Sequence, residues 1–403
     1  MIDAIHRLFG TKNTMTLHKL FFFLLFCCHL TVSWADTPQF TITEQTPFQG
    51  NLHIPLLNID GKPQFQNINI YFDFSNNSFR LDGVEPYFNE ALNKKIMLGA
   101  YIKDYVGDET VIESQLKTFD KWAGTGLSLA GLFLNIEEKD LEFNIITPLT
   151  VLTDNGYTPF INFNTFTRTM AEIAQGVADE RLSTIAKDLA LWFQQYPNNK
   201  IFIVPFPEMN GDWESYGQDI DNFKKGYAHL QDLFSQAGVK RDNVFWVFAP
   251  NGWSEKGHEF ELYYPENAIV DVVAFSAYNW GHCTNAGFKA WEKPEQVYLP
   301  YVQRMQASYP DKPLFISQTA TSSNTGTGSN PLEKDAWLEQ SYTYFASVKN
   351  LFGVVYFNID KECDWAIHRP EANNHALGYA KVVSKAPFAY IKNEDISFSK
   401  QTP

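Results

Sequence analysis

Cysteine is scarce here: four residues in 403, two of them inside one apolar run near the N-terminus. That excludes a small disulfide-stapled scaffold and a cysteine-rich metal site. The nine histidines are scattered without ligand spacing, so no metal centre is expected. Positive charge is in deficit, with 32 Lys and Arg against 46 Asp and Glu, a formal net charge of −14. A surface of that sign disfavours nucleic acid and anionic membranes as partners and suits a neutral ligand. No glycine-rich phosphate loop follows the first strand-like run, and no Gly-x-Ser-x-Gly elbow occurs. No cofactor is expected. Apart from the N-terminal run, no apolar stretch approaches the length a membrane span requires.

That N-terminal run has the grammar of an export signal. In "MTLHKLFFFLLFCCHLTVSWAD", His18 and Lys19 precede the apolar residues Leu20–Cys28, and Ser33-Trp34-Ala35 supplies a small-x-small cleavage site. Residues 1–35 are therefore expected to be a signal peptide, with Met15 as an internal start, and the protein to be secreted or periplasmic. Removing Arg7, Lys12, Lys19 and Asp3 shifts the net charge from −14 to −16. Cys283 and Cys363 would then remain, and an even pair in an exported chain is expected to form a disulfide.

What is abundant is apolar and aromatic: 44% hydrophobic and 16% Phe, Trp and Tyr, against 19% charged. Residues 36–90 alternate in the manner of strands ("FTITEQ", "NLHIPLLNID", "NINIYFDFS") and predict a small β-rich appendage. The pattern then changes. Near-continuous apolar runs fall at 96–102, 127–136, 158–164, 200–206, 243–250, 270–278, 312–318 and 351–359. Runs of this kind suit parallel strands covered on both faces. Between them lie helical patterns at 181–196, 223–238 and 331–348. Eight strands in roughly 300 residues predict a (β/α)8 TIM barrel over 91–392, with 393–403 as a C-terminal tail. An open doubly wound sheet is the competing architecture, but the phosphate loop that usually gives it a function is missing.

In such a barrel functional groups gather where strands end. The fourth run is followed by "PFPEMNGDWESYG", which places Glu208, Asn210, Trp213 and Tyr216 there. A carboxyl beside aromatic rings and an amide suits glycosidic bond cleavage. An apolar wall keeps the acid protonated, and rings stack on sugar CH faces. Other strand ends carry Phe163 and Asn164, Asn251 and Trp253, Tyr278 and Trp280, and Asp360, Glu362 and Trp365. Cys283 and Cys363 fall on the same rim, where a bridge would tie two loops together.

In this order "EMNGDW", "YYP…VDVVAFSAYNWG", "KPLFISQTAT" and "VVYFNIDKECDWAI" resemble glycoside hydrolase family 26 over roughly residues 95–385. The resemblance implies a barrel, a retaining mechanism and a β-linked polysaccharide, mannan above all, as the partner. It matches Glu208 to the family's acid/base, and Tyr278 and Trp365 to residues lining the site. The nucleophile position, a Glu in the family, is occupied here by Gln318. The family pattern also expects His where Pro207 stands, often Arg at Val204, and commonly Trp at Tyr216.

Retaining hydrolysis requires two carboxyl groups about 5 Å apart. An amide has a carboxylate's shape without its charge, yet it can still hydrogen-bond a sugar. Three outcomes follow. The chain is a catalytically impaired glycan binder contacting sugar through Asn210, Trp213, Tyr216, Asn251, Trp253, Tyr278, Trp280, Trp365 and Phe163. Or it is an active β-glycanase with a relocated carboxylate, Asp360 or Glu362. Or it is an interaction protein on a hydrolase scaffold.

Overall fold

The computed structural model describes four N-terminal strands within residues 39–82, and residues 94–283, 290–370 and 376–400. The expected signal peptide lies outside the described residues. Internal contacts divide the chain into units 1–87 and 88–403. In the first, β1 (Gln39–Thr43), β2 (Phe48–Ile59), β3 (Lys62–Asp73) and β4 (Ser78–Asp82) form an antiparallel sheet in sequence order.

The second unit is a closed eight-stranded barrel. Its strands are β5 (Met97–Tyr101), β6 (Leu129–Asn135), β7 (Thr158–Asn164), β8 (Ile201–Pro205), β9 (Val244–Phe248), β10 (Val272–Asn279), β11 (Leu314–Thr321) and β12 (Leu351–Phe357). Each pairs in parallel with the next, and β12 closes on β5. All eight apolar runs became strands. The helical layer comprises α1 (109–123), α2 (142–154), α3 (Met170–Ala174), α4 (Asp179–Gln195), α5 (Ile220–Gln236), α6 (Pro294–Ser308), α7 (Pro331–Ser347) and α8 (Leu377–Val383). Helix α5 illustrates why they form. Asp219 accepts the Asn222 backbone N–H at its start, Phe223, Tyr227, Leu230 and Phe234 repeat on its buried face, and Gly238 turns the chain at φ 94° just past its end.

Alternation along the strands builds the barrel interior. Phe160, Phe202, Val204, Phe245, Val247, Val272, Ala274, Phe315 and Val355 fill it. The same inward faces carry polar residues toward the strand C-termini, so core and site are successive layers of one set of positions. Residues 393–400, expected from sequence to trail beyond the barrel, pack onto this interior instead. Ile396 is buried in the core, and the Phe398 ring lies 5.4 Å from Phe245 and 5.5 Å from Phe352. An alternating Ile-x-Phe offers one apolar face, and these strands begin where it docks, so the segment closes the barrel floor. Among the described residues no helix is long and apolar enough to cross a membrane.

Candidate active site

Strand β8 delivers Glu208 through a strained turn. Phe206 and Glu208 sit at φ 49° and 57°, left-handed values uncommon for residues with a side chain. Backbone bonds hold the turn: Phe206 N–H donates to Phe163 O and Glu208 N–H to Ala249 O. The Glu208 carboxyl then meets three donors. Trp213 Nε1 donates to Oε2 at 2.9 Å, Asn251 Nδ2 to Oε1 at 3.2 Å, and Ser276 Oγ also to Oε1. Burial pushes Glu208 above the usual carboxylate range, while the bonds from Ser276, Trp213 and Asn251 pull the other way. The result is an acid held in place and biased toward its protonated form.

The loop after β8 divides into residues that hold and residues that face the groove. Asn210 is buried, with its Nδ2 against Asn251 O, Trp253 O and Ser254 Oγ, and its Oδ1 taking the Asn251 N–H. Tyr216 is buried, its hydroxyl donating to Pro207 O. Phe163 is fully buried against Phe234 of α5, on the outer face of β7. The sequence placed these three among the ligand contacts; here they brace the loops and fill the outer core, with no free surface for a sugar. Trp213, by contrast, is 46% exposed and Trp253 55%. Gly211 makes the Trp213 pose possible, since a Cβ there would fall 2.3 Å from the indole ring.

Strand β10 joins the two halves of the site. Val272 and Ala274 face the core, and Ser276 and Tyr278 continue on that inward face into the mouth. Ser276 touches Glu208, while the Tyr278 hydroxyl donates to Gln318 Oε1 at 3.1 Å. These two positions stand about 6.6 Å apart along the strand. The carboxyl and the amide therefore flank one segment of β10.

Gln318 does not end its strand, as the sequence suggests; β11 runs on to Thr321. It faces inward because of a bulge. Phe315 points into the core, whereas Thr319 Oγ1 meets Tyr298 of α6 outside, although strict alternation would put both on one face. Pairing slips between Phe275/Ser276 and between Ile316/Thr319, so the extra residue lies at 317–318 and turns Gln318 into the mouth. Tyr101 of β5 secures the bulge: its hydroxyl donates to Ser317 O at 3.2 Å and accepts from Asn162 Nδ2 at 2.7 Å.

An aromatic wall stands beside the amide. Tyr278 lies 5.4 Å from Trp365, 6.0 Å from Trp280 and 6.2 Å from Phe357, and Tyr101 is 4.8 Å from Phe133. Trp365 is buried behind this wall, and Trp280 is half-buried at its edge. A disulfide joins Cys283 to Cys363, linking the loops that carry Trp280 and Trp365.

Of the alternative carboxylates, Asp360 is committed elsewhere. Its oxygens accept from Ala366 N–H and from Arg369. Glu362 is partly buried and its charge reaches Tyr278. Sequence reasoning missed Glu214, whose carboxyl is pushed up by burial and by repulsion from Glu208, against the pull of Lys361. It named Asn164 at the end of the third run but missed Asn162 beside it; Asn162 Oδ1 and Asn164 Oδ1 are buried acceptors on the inward face of β7 with no protein hydrogen-bond partner. Strand periodicity from Phe160 would have found that pair. Among the described residues no cluster of His, Cys, Asp and Glu could hold a metal ion.

With this geometry in hand, comparison with known proteins is informative. The model of glycosyl hydrolase family 26 matches residues 143–322. That span includes both Glu208 and Gln318. Solved structures of similar fold include a modular endo-β-1,4-mannanase from Cellulomonas fimi (14% identity, 77% of this chain and 75% of that one, TM-score 0.56). A family 26 β-mannanase from Bacteroides ovatus aligns at 13% identity over 76% of this chain and 94% of its own, with TM-score 0.55. A third, GH26C from a Muricauda species, is 17% identical over 77% and 91%, with TM-score 0.54. At these identities the likeness establishes the barrel fold. No curated protein matches the chain.

Proposed function

We propose that this chain is an exported glycoside hydrolase of the family 26 type that binds a β-linked polysaccharide, mannan above all, in its barrel mouth. Glu208 is the general acid/base of that site, and Gln318 stands where a displacement nucleophile is required, so the protein hydrolyses mannan poorly. The observation that carries this is the pairing across β10 of a partly buried, triply hydrogen-bonded carboxyl with an amide. The family match and the mannanases among the similar folds support the substrate class. The apolar N-terminal run and the Cys283–Cys363 bridge support export.

Without a second carboxylate neither a glycosyl ester nor an ion-stabilised oxocarbenium forms readily. A deficit on the order of 10³–10⁶ in rate follows, by analogy with loss of one member of other catalytic sets. The test is a panel of β-mannan, β-glucan and xylan oligosaccharides, assayed by titration calorimetry and by product release. The reading expects binding of a mannan-type ligand with turnover far below that of family enzymes. Brisk wild-type hydrolysis that survives Glu208→Ala would refute it. No binding heat with any glycan would instead favour an interaction protein.

A further inference from the structure

The acid half of the machinery is intact, although the nucleophile is gone. Glu208 keeps three donors and a proton-favouring environment, an arrangement with no evident use in a protein that only binds. A substrate that brings its own nucleophile would restore the missing half. A β-linked 2-acetamido-2-deoxyhexose does so, because its acetamido oxygen can reach the anomeric carbon. Such a route makes three demands on the protein: an acid at the leaving oxygen, an acceptor for the acetamido N–H, and an apolar surface for its methyl group.

The mouth holds all three. Gln318 Oε1 is an acceptor with two lone pairs, one engaged by the Tyr278 hydroxyl. The bulge at 317–318, gripped by Tyr101, aims that amide inward. Tyr278 and Phe357 supply the apolar wall beside it, backed by the buried Trp365. A carboxylate at 318 would compete with the acetamido oxygen for the anomeric carbon; a neutral amide does not. We propose that this groove hydrolyses β-linked 2-acetamido-2-deoxyhexose oligosaccharides by substrate assistance, with Gln318 orienting the acetamido group and Glu208 moving the proton. This deepens the preceding reading and rests on its assignment of Glu208.

The steps balance. The acetamido oxygen bonds to C1 as the bond from C1 to the leaving oxygen breaks, and that oxygen takes the Glu208 proton. An oxazolinium remains, its N–H directed to Gln318 Oε1, with Glu208 ionised. Water then gives a proton to Glu208 and its oxygen bonds to C1, reopening the ring and restoring the acetamido group. One water is consumed and C1 configuration is retained.

The full chain is incubated with the β-1,4-linked N-acetylglucosamine hexamer, its de-N-acetylated counterpart and mannohexaose, and the first product anomer is read by proton NMR. The expected result is turnover of the acetylated hexamer alone, with retention. Glu208→Gln should lower it by about 10²–10⁴-fold. Gln318→Leu should lower it by about 10–100-fold, as loss of one hydrogen bond to a charged intermediate does. Thermal melts establish that each variant is folded, and the near-isosteric Gln318→Glu serves as a second probe, whose carboxylate should lower turnover of the acetylated hexamer while the variant still binds it. Mannohexaose bound but the acetylated hexamer uncleaved would overturn the inference and leave the glycan-binding reading standing. Binding of neither would end both. Cleavage with inversion would overturn substrate assistance in favour of a carboxylate pair such as Glu208 and Glu214.

Discussion

Restoring a carboxylate at position 318 tests the central assignment most directly. Gln318→Glu exchanges an NH₂ for an oxygen at a site only 7% exposed, so bulk is unchanged and one charge is added. The Tyr278 hydroxyl would donate to the new carboxylate as it now does to Oε1, favouring its ionised form. Burial works against ionisation, as does Glu208, whose charge already reaches Tyr278. The two carboxyls would therefore share about one proton at neutral pH, the state retaining hydrolysis requires. Removal of a nucleophile costs about 10³–10⁶ in rate. The gain expected here is smaller, about 10²–10⁴, because burial keeps the new group partly protonated and Val204, Pro207 and Tyr216 still depart from the family pattern. Reducing-end release from mannohexaose measures it, with proton NMR for retention. The rate should be bell-shaped in pH. Its basic limb reports loss of the Glu208 proton and should lie above the ordinary carboxylate range, because burial raises that group and a second negative charge raises it further. A folded variant that binds mannohexaose like the wild type yet gains no rate would show that position 318 is not where the nucleophile belongs.

Trp213→Ala should weaken oligosaccharide binding by about 5–30-fold in calorimetry, as loss of an exposed stacking ring does, and should also raise the Glu208 pKa by removing one donor. Trp365→Ala should act differently: that ring is buried, so the change leaves a cavity costing about 3–5 kcal/mol in denaturant unfolding and loosens Tyr278 with it. Breaking the Cys283–Cys363 bridge with Cys363→Ser opens a loop of 80 residues, worth about 4.5 kcal/mol by the chain-entropy relation; intact mass with alkylation, with and without reductant, establishes that the bridge forms. Lys334 is buried with its ammonium on the carbonyls of Asp364, Trp365 and Ala366, and burial pushes its pKa from 10.5 down to about 8. The folded state thus sheds this proton near pH 8 and the unfolded state near 10.5, so this group makes stability rise with pH between those values, by about 3 kcal/mol. Denaturant curves of the wild type and Lys334→Met should diverge across that window; parallel curves would refute the assignment.

The barrel was legible in the sequence because each parallel strand is covered on both faces and so reads as an unbroken apolar run. That same property hid the orientation of residues within each run. Phe163 and Asn164 are equally strand-like in sequence, yet one is buried against α5 and the other lies on the inward face of β7. Gln318 was recognisable as anomalous from its position, but its inward aim depends on a bulge, which no period-2 pattern announces. The floor segment at 391–398 was missed because its three apolar residues are too few to register beside eight full strands. Glu214 was passed over because a Glu in a polar loop carries no sign of its neighbour; only the folded loop brings it close to Glu208.

The stretch "PEMNGDWESYG" carries the most recognisable signature in the chain, and much of it serves the loop's shape. Asn210 binds the following strand end, Gly211 gives way to an indole, and Tyr216 returns to Pro207. Only Glu208 and Trp213 turn clearly to the groove. A match to this signature therefore reports how an acid is presented and says little about what is bound beside it. Under the proposed function, the sugar would be chosen across β10, by the amide at 318 and the aromatic wall beside it. At that amide the chain departs from the family 26 pattern it resembles, while the acid-presenting loop matches it. Three donors held around Glu208 are more than a site that only binds requires, which is why the decisive measurements concern substrates that such an acid could still cleave.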